Sequence, residues 1–166
     1  MKNIKTNSQF GNTSNEVLLK KQVLKKILAQ INQGGLTYNP ILEKDYSGTQ
    51  NIAISPFPER SQIFDGPANK KTVTEYLKKN KDLFLKKFSL GAWFDKSSQK
   101  TYLDISAPIP LNKQVEAISL GKSANQIAGF NLSDFSEIPL GGNGTLDSSI
   151  IPFNDRLEEA LTLMAA

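Results

Sequence analysis

Two short runs, Leu90-Gly-Ala-Trp-Phe94 and Thr101-Tyr-Leu-Asp-Ile-Ser106, determine the fold class that we predict for this chain. Both runs are rich in aromatic and aliphatic residues, and the turn-like residues 95–100 separate them, which is the pattern of a β-hairpin. Because side chains alternate between the two faces of a strand, Leu103 and Ile105 are predicted to share one face. The opposite face then carries Tyr102, Asp104 and Ser106.

A helix is predicted before this hairpin. Thr72 and Glu75 have the spacing of a capping box, and the apolar residues that follow recur at helical intervals, with a break predicted at Asn80. The apolar stripe of this helix consists of Val73, Tyr76, Leu77, Phe84 and Phe88.

A second helix and a third strand are predicted after the hairpin. We expect Pro108 and Pro110 to end the hairpin, because proline cannot donate to a strand ladder. Asn112 is predicted to cap a short helix that runs to about Ser123. Residues 126–132 have the composition of a strand.

Together these elements predict an α+β protein with a small α-β-β-α-β unit at residues 69–142. This unit contains the hairpin and the third strand, and we expect it to hold the only substantial core. Its main core residues are predicted to be Phe88, Trp93, Leu103, Ile105, Ile118 and Phe130.

Three segments are predicted to flank this unit. Residues 1–32 are a polar arm followed by a basic amphipathic helix, which is predicted to begin at about residue 14. Residues 33–68 contain many prolines and glycines and are predicted to be a long extended linker or arm, in which only residues 51–55 resemble a strand. Residues 143–166 are a glycine-rich exit and a short C-terminal helix.

The apolar stripes of the two flanking helices are candidate partner-binding surfaces. Segments without a core of their own become ordered by docking on a neighbour, and packing of these helices on the 69–142 unit is the competing interpretation. The candidate partner-binding residues are Val17, Leu24, Ile27, Leu28, Ile31, Leu157, Leu161 and Met164.

The positive charge is concentrated in the first part of the chain. Residues 1–100 contain 17 lysines and arginines against 8 acidic residues, whereas residues 101–166 contain 3 against 8. Arg60 and Arg156 are the only arginines, and lysine suits loose polyanion contact better than bidentate recognition of phosphates or bases. The candidate polyanion-contact residues are Lys20, Lys21, Lys25, Lys26, Lys78, Lys79, Lys86 and Lys87.

The composition excludes several kinds of catalytic site. The chain has no cysteine and no histidine, which removes thiolate metal sites, cysteine nucleophiles and histidine-based triads. Asp95 and Asp104 of the hairpin are the remaining acid–base pair, and turn-capping or solvent-facing roles are the competing interpretation. We therefore expect no enzymatic activity, no cofactor and no bound metal.

No apolar run approaches the roughly 20 residues of a membrane-spanning helix, so we expect no membrane contact.

Several runs between residues 91 and 144 match the pattern of a known domain. They are Trp93-Phe-Asp95, Thr101-Tyr-Leu-Asp-Ile-Ser106, Leu120-Gly121, Asn125-Gln-Ile-Ala128, Phe130-Asn-Leu132 and Glu137-Ile-Pro-Leu-Gly-Gly142. They resemble a small α+β domain of unknown function that recurs in tailed-bacteriophage and prophage proteins, including minor head proteins. The resemblance covers about a third of the chain and carries no catalytic residue with it.

The resemblance implies a non-enzymatic bacteriophage structural protein. We expect a virion component, in the head or associated with the minor capsid proteins, that is made in the host cytoplasm. Its flanking arms would contact other virion proteins or copies of itself. The alternative is a small phage accessory protein that binds a host protein or nucleic acid through its lysine-rich helices.

Overall fold

The computed structural model describes residues 19–165, which form an antiparallel sheet and five α-helices. The helices are α1 (Lys21–Gln33), α2 (Lys70–Lys79), α3 (Lys81–Phe84), α4 (Gln114–Ser123) and α5 (Phe153–Met164). The strands are β1 (Leu36–Asn39), β2 (Lys44–Asp45), β3 (Asn51–Ile54), β4 (Gln62–Asp65), β5 (Ser89–Asp95), β6 (Lys100–Pro110), β7 (Ala128–Asn131) and β8 (Ser136–Pro139). The predicted α+β class is confirmed.

The long strand β6 organises the sheet. The strand order of the sheet is β2-β1-β5-β6-β3-β7-β8, with β4 also paired to β6. One side of β6 pairs with β5, from Ser106 opposite Ser89 to Lys100 opposite Asp95, and the other side pairs with β4 and then β3. The predicted hairpin is therefore confirmed as β5 and β6.

The predicted end of the hairpin at Pro108 and Pro110 is wrong, because β6 continues through both prolines and pairs there with β3. The next residue, Leu111, donates its backbone N–H to the carbonyl of Gln50, which directly precedes β3. Successive backbone N–H groups of a strand alternate in direction, so both prolines direct their nitrogens to the opposite side, where β5 has already ended. A strand tolerates proline at such an unpaired position.

The helices cover one face of the sheet. Their buried apolar side chains form a single cluster with strand residues such as Leu90, Leu103, Ile105 and Ile109. The opposite face, which we call the open face, carries the side chains of Ile63, Trp93, Tyr102, Asp104, Ser89, Ser106 and Phe130. None of these residues belongs to the cluster.

The core prediction is confirmed in part. Phe88, Leu103 and Ile105 are at most 1% exposed, and Ile118 packs half-buried against the same cluster. The core prediction is wrong for Trp93 and Phe130, which are 44% and 38% exposed. Side chains alternate between the two faces of a strand, so both residues point to the face that Leu103 and Ile105 do not occupy.

The predicted linker at residues 33–68 is wrong as well, except that its strand-like residues 51–55 are confirmed as β3. It contributes β1, β2, β3 and β4 to the sheet, and all four residues of β1 are buried. Each of these strands has four residues or fewer, which is too short for a period of two to stand out. Pairing of β1, β3 and β4 with β5 and β6, and of β2 with β1, provides the order that their own sequence largely does not indicate.

The helix starts differ from the predictions. Leu19 and Lys20 precede α1 rather than belonging to it, so the predicted start at about residue 14 is not observed, and residues 14–18 lie outside the described part of the chain. Helix α2 begins at Lys70, with Asn69 and Thr72 as its reciprocal cap. Its predicted break at Asn80 is confirmed.

After β6, the predicted cap residue Asn112 lies within a 3-10 turn, Leu111–Lys113, and α4 begins without a side-chain cap. The predicted third strand is confirmed as β7. A further strand that the sequence does not predict, β8, follows β7 and pairs with it. The loop beyond β8 is anchored, because Gly142 and Gly144 donate their N–H groups to Gln126 and Asn125.

Candidate functional site: the open face of the sheet

The two terminal helices place their apolar stripes in the protein's own core. Leu24, Ile27 and Ile31 of α1 are 6%, 2% and 0% exposed. The other described members of the predicted partner-binding set pack half-buried against the same cluster; they are Leu28, Leu157, Leu161 and Met164. The three buried residues are therefore part of the core in this structure, the partner-binding role of the four half-buried ones stays a prediction, and Val17 lies outside the described residues. The apolar face of an amphipathic helix must pack against another surface, but its sequence does not show which one. Here that surface is the sheet.

All eight candidate polyanion-contact lysines are exposed; they are Lys20, Lys21, Lys25, Lys26, Lys78, Lys79, Lys86 and Lys87. Helices α1 and α2, which carry or adjoin most of them, are joined where the Asn32 amide donates to the Ala68 carbonyl (3.2 Å) and accepts from its N–H (2.9 Å). The lysines of these neighbouring helices thus remain available to an anionic partner.

The structure does not bring Asp95 and Asp104 together. Asp95 lies opposite Lys100, at the turn of the hairpin, and accepts hydrogen bonds from Ser97 and Ser98. Asp104 lies four residues farther along β6, which is roughly 13 Å at the rise of a strand. The two carboxylates cannot share one substrate atom as an acid–base pair.

An aromatic pair lies on the open face. Trp93 of β5 and Tyr102 of β6 face each other across the two strands, and their rings stack with centroids 4.5 Å apart and planes 10° from parallel. Ile63 of β4 lies on the other side of Tyr102 and is 58% exposed. Apolar surface is therefore continuous across three strands.

Asp104 lies beside this aromatic pair. It is the cross-strand neighbour of Gly91, and its carboxylate leans over that glycine so closely that a Cβ there would collide with Oδ1. Burial raises the pKa of the Asp104 carboxyl above its usual range, and the hydroxyl of Ser55 lowers this pKa only in part. Three ion pairs form within residues 19–165, and none of them includes Asp104.

The next cross-strand pair on the open face consists of Ser89 and Ser106. Their hydroxyl oxygens are buried and have no hydrogen-bond partner in the described part of the chain. Buried polar atoms in folded proteins are normally hydrogen-bonded. A carboxylate without a cation and two hydroxyls without partners thus lie in adjacent rows of one sheet face.

Both arginines are committed to carboxylates elsewhere. Arg156 donates to Glu59 through both of its terminal nitrogens, at 2.9 and 2.6 Å, and Arg60 binds Asp82 in the same way at 3.0 and 2.9 Å. Neither guanidinium is available to a phosphate or to Asp104.

Sequence reasoning identified part of this face and did not recognise it as a site. The alternation along β6 predicts that Tyr102, Asp104 and Ser106 lie together, whereas the sequence analysis places Trp93 in the core. Applying the same alternation to β5, with Leu90 and Ala92 as its inward residues, would have placed Trp93 beside Tyr102.

The open face offers negative charge and aromatic surface. Within residues 19–165 no three acidic side chains cluster as metal ligands would, and no helix is long and apolar enough to cross a bilayer. Comparison of the chain with protein-family models, with curated proteins and with solved structures found no match.

Proposed function

We propose that this protein is a non-enzymatic bacteriophage structural protein, a virion component that contacts other particle proteins through the open face of its sheet. The phage context comes from the resemblance of residues 91–144. The observation that carries the contact role is the exposed Trp93–Tyr102 stack, extended by Ile63, at the end of the open face that lies outside the hydrophobic cluster, whereas Ser89 and Ser106 on the same face are buried.

Exposed aromatic surface of this kind suits protein binding. Monomeric proteins rarely leave large apolar patches uncovered, and tryptophan and tyrosine are enriched where proteins meet. The contact differs from the one that the sequence predicts, because the terminal helices are occupied by the core. The open face replaces them as the surface for a neighbour in the particle.

Mass spectrometry of purified particles from the phage or prophage that encodes this chain tests the role. We expect the protein to copurify with the particle at a constant ratio to the major capsid protein across a density gradient. Its absence from particles that are complete and infectious would overturn the virion assignment.

A competition experiment tests the contact surface. Wild-type and Trp93→Ser chains are expressed together during infection, and we expect the variant to be depleted from the particles relative to the lysate. Phe135→Ser is the matched control, since Phe135 is a 59% exposed aromatic residue at a different place, in the turn between β7 and β8. Equal incorporation of both variants would show that the open face makes no contact.

The alternative function is nucleic-acid binding by an accessory protein, and the exposed lysines of α1 and α2 favour it. A titration of double-stranded DNA against salt tests this alternative. Affinity that falls steeply with salt and weakens in a Lys25→Gln, Lys26→Gln variant would support it. The absence of binding at about 0.15 M salt would remove it.

A further inference from the structure

We propose that the open face binds an arginine side chain of a protein partner, with the Asp104 carboxylate pairing with the guanidinium group and the Trp93–Tyr102 pair stacking beside it. This inference rests on the proposed function, because it names the chemistry of the contact. We call Asp104, Trp93 and Tyr102 the arginine site.

The unpaired carboxylate of Asp104 indicates that the site binds a cation. Asp104 has no ion-pair partner among the described residues, and both arginines of the chain are bound to other carboxylates. The carboxylate is half-buried, and a charge removed from water without a partner is costly. The absence of a side chain at Gly91 leaves the space over which the carboxylate leans.

The aromatic pair selects the kind of cation. Trp93 is two residues from Gly91 on β5, and is therefore a diagonal neighbour of Asp104, about 7–8 Å away between Cα atoms. A guanidinium group is planar, stacks on tryptophan and donates two parallel hydrogen bonds to a carboxylate, so one arginine can satisfy both groups. An ammonium group lacks the flat face, and a metal ion would require more oxygen ligands than a single carboxylate.

The serine pair beside the site is a second group of polar atoms without partners. Ser89 and Ser106 retain hydrogen-bonding capacity that no described residue uses. Pairing of Asp104 with a guanidinium group would lower the cost of keeping its carboxylate away from water beside these serines.

Trp93 makes the site directly observable, since it is the only tryptophan of the chain. The probe is the peptide N-acetyl-Gly-Arg-Gly-amide, titrated into the full-length protein while the indole N–H resonance of Trp93 is followed by NMR. The control probe replaces arginine with citrulline, which keeps the planar shape and loses the charge. We expect a saturable shift with the arginine peptide and about ten-fold weaker binding of the citrulline peptide, as for the loss of one charge-assisted contact.

Two variants locate the binding. Asp104→Asn should weaken the arginine peptide by about ten-fold or more, and Tyr102→Leu should weaken it several-fold while leaving the carboxylate in place. Glu158→Gln removes one exposed carboxylate from α5 and should leave the affinity unchanged.

Three results would overturn the proposal. They are equal or absent affinity for the arginine and citrulline peptides, unchanged affinity in Asp104→Asn, and a Trp93 shift that depends on protein concentration without any peptide, which would place a second copy of the chain on this face. Because the probe is a free peptide, its failure to bind leaves the result of particle mass spectrometry unaffected. The two failures can therefore be told apart.

Discussion

Arg156 is the one charged side chain that is fully buried among the described residues, with 2% of its surface exposed. Its Nε donates to the Ile151 carbonyl at 2.9 Å and its Nη1 to the Pro56 carbonyl at 2.6 Å, in addition to both oxygens of Glu59. The guanidinium joins the start of α5 to the segment before β4. Desolvation raises the pKa of Glu59, but the hydrogen bonds and the charge of Arg156 outweigh this effect and lower the pKa overall.

We expect Arg156→Ala to lower the free energy of unfolding by about 3–5 kcal/mol, because it leaves the Glu59 carboxylate and two carbonyls without their donor. Asp82→Ala is the matched control. It removes only the more exposed pair with Arg60, in which 26% and 53% of the side chains are accessible, and leaves the bond from Arg60 to the buried Asn80 in place, so it should cost about 1 kcal/mol or less. Urea denaturation of both variants measures the difference, and equal costs would contradict a clamp at Arg156.

Asp104→Asn is expected to stabilise the protein near neutral pH. An acid whose pKa is raised on folding contributes most stability below its unfolded value of about 3.9, and this contribution is lost as pH rises through the folded pKa. The raised pKa of Asp104 therefore predicts that the melting temperature of the variant exceeds that of the wild type at about pH 7 and converges with it near pH 4.

The control for this variant is Asp95→Asn. The hydroxyls of Ser98 and Ser97 lower the pKa of Asp95, so its charged form is the one that folding favours. This variant should show no gain in melting temperature at neutral pH. A gain of equal size in both variants would mean that general charge reduction, rather than the burial of Asp104, explains the result.

At the scale of elements, α1 is the element whose role changed most between sequence and structure. Its apolar stripe covers the sheet beside β5, where Ile31 is fully buried. We expect Ile31→Ala to cost about 2–5 kcal/mol, the range for truncating a buried aliphatic side chain. Lys25→Ala on the exposed side of the same helix should change stability by less than about 0.5 kcal/mol. If Ile31→Ala left the free energy of unfolding unchanged, the stripe would be free to bind a partner instead.

The alternation along β6 is testable in the same way. Leu103 is 1% exposed and faces the helices, whereas its neighbour Tyr102 is on the open face. Leu103→Ala is expected to cost about 2–5 kcal/mol, and Tyr102→Ala distinctly less, because its ring retains contact with water. Chemical denaturation compares the two. The reverse order would show that the hairpin is turned inside out.

At the scale of the whole molecule, one hydrophobic cluster includes residues from α1 near one end of the described chain to α5 near the other. Hydrogen exchange on the verified monomer should therefore show protection in residues 21–33 and 153–164 as well as in β5 and β6, because their backbone groups open only when the shared core opens. Rapid exchange in both terminal helices, with protection confined to residues 69–142, would mean that they dock only on other chains.

The sequence by itself determined the elements with a strong local pattern. The alternating run Thr101–Ser106 and its turn specify the hairpin, and helical periodicity specifies α1, α2 and α5 to within several residues. The absence of cysteine and histidine also excludes whole classes of active site without any structure. These inferences succeed because each depends on residues that are close together in the chain.

Only the tertiary structure decided what each element contacts. Of the strands at residues 36–65, only β3 is recognisable alone; β1 and β4 are ordered by pairing with β5 and β6, and β2 by pairing with β1. The stripe of α1 looks the same whether the sheet or another protein covers it. The open face brings Ile63, Trp93 and Asp104 together from three strands, and no local sequence pattern predicts that these residues are neighbours. Burial and strand pairing are set by residues distant in sequence, so the candidate site becomes visible only once the chain is folded.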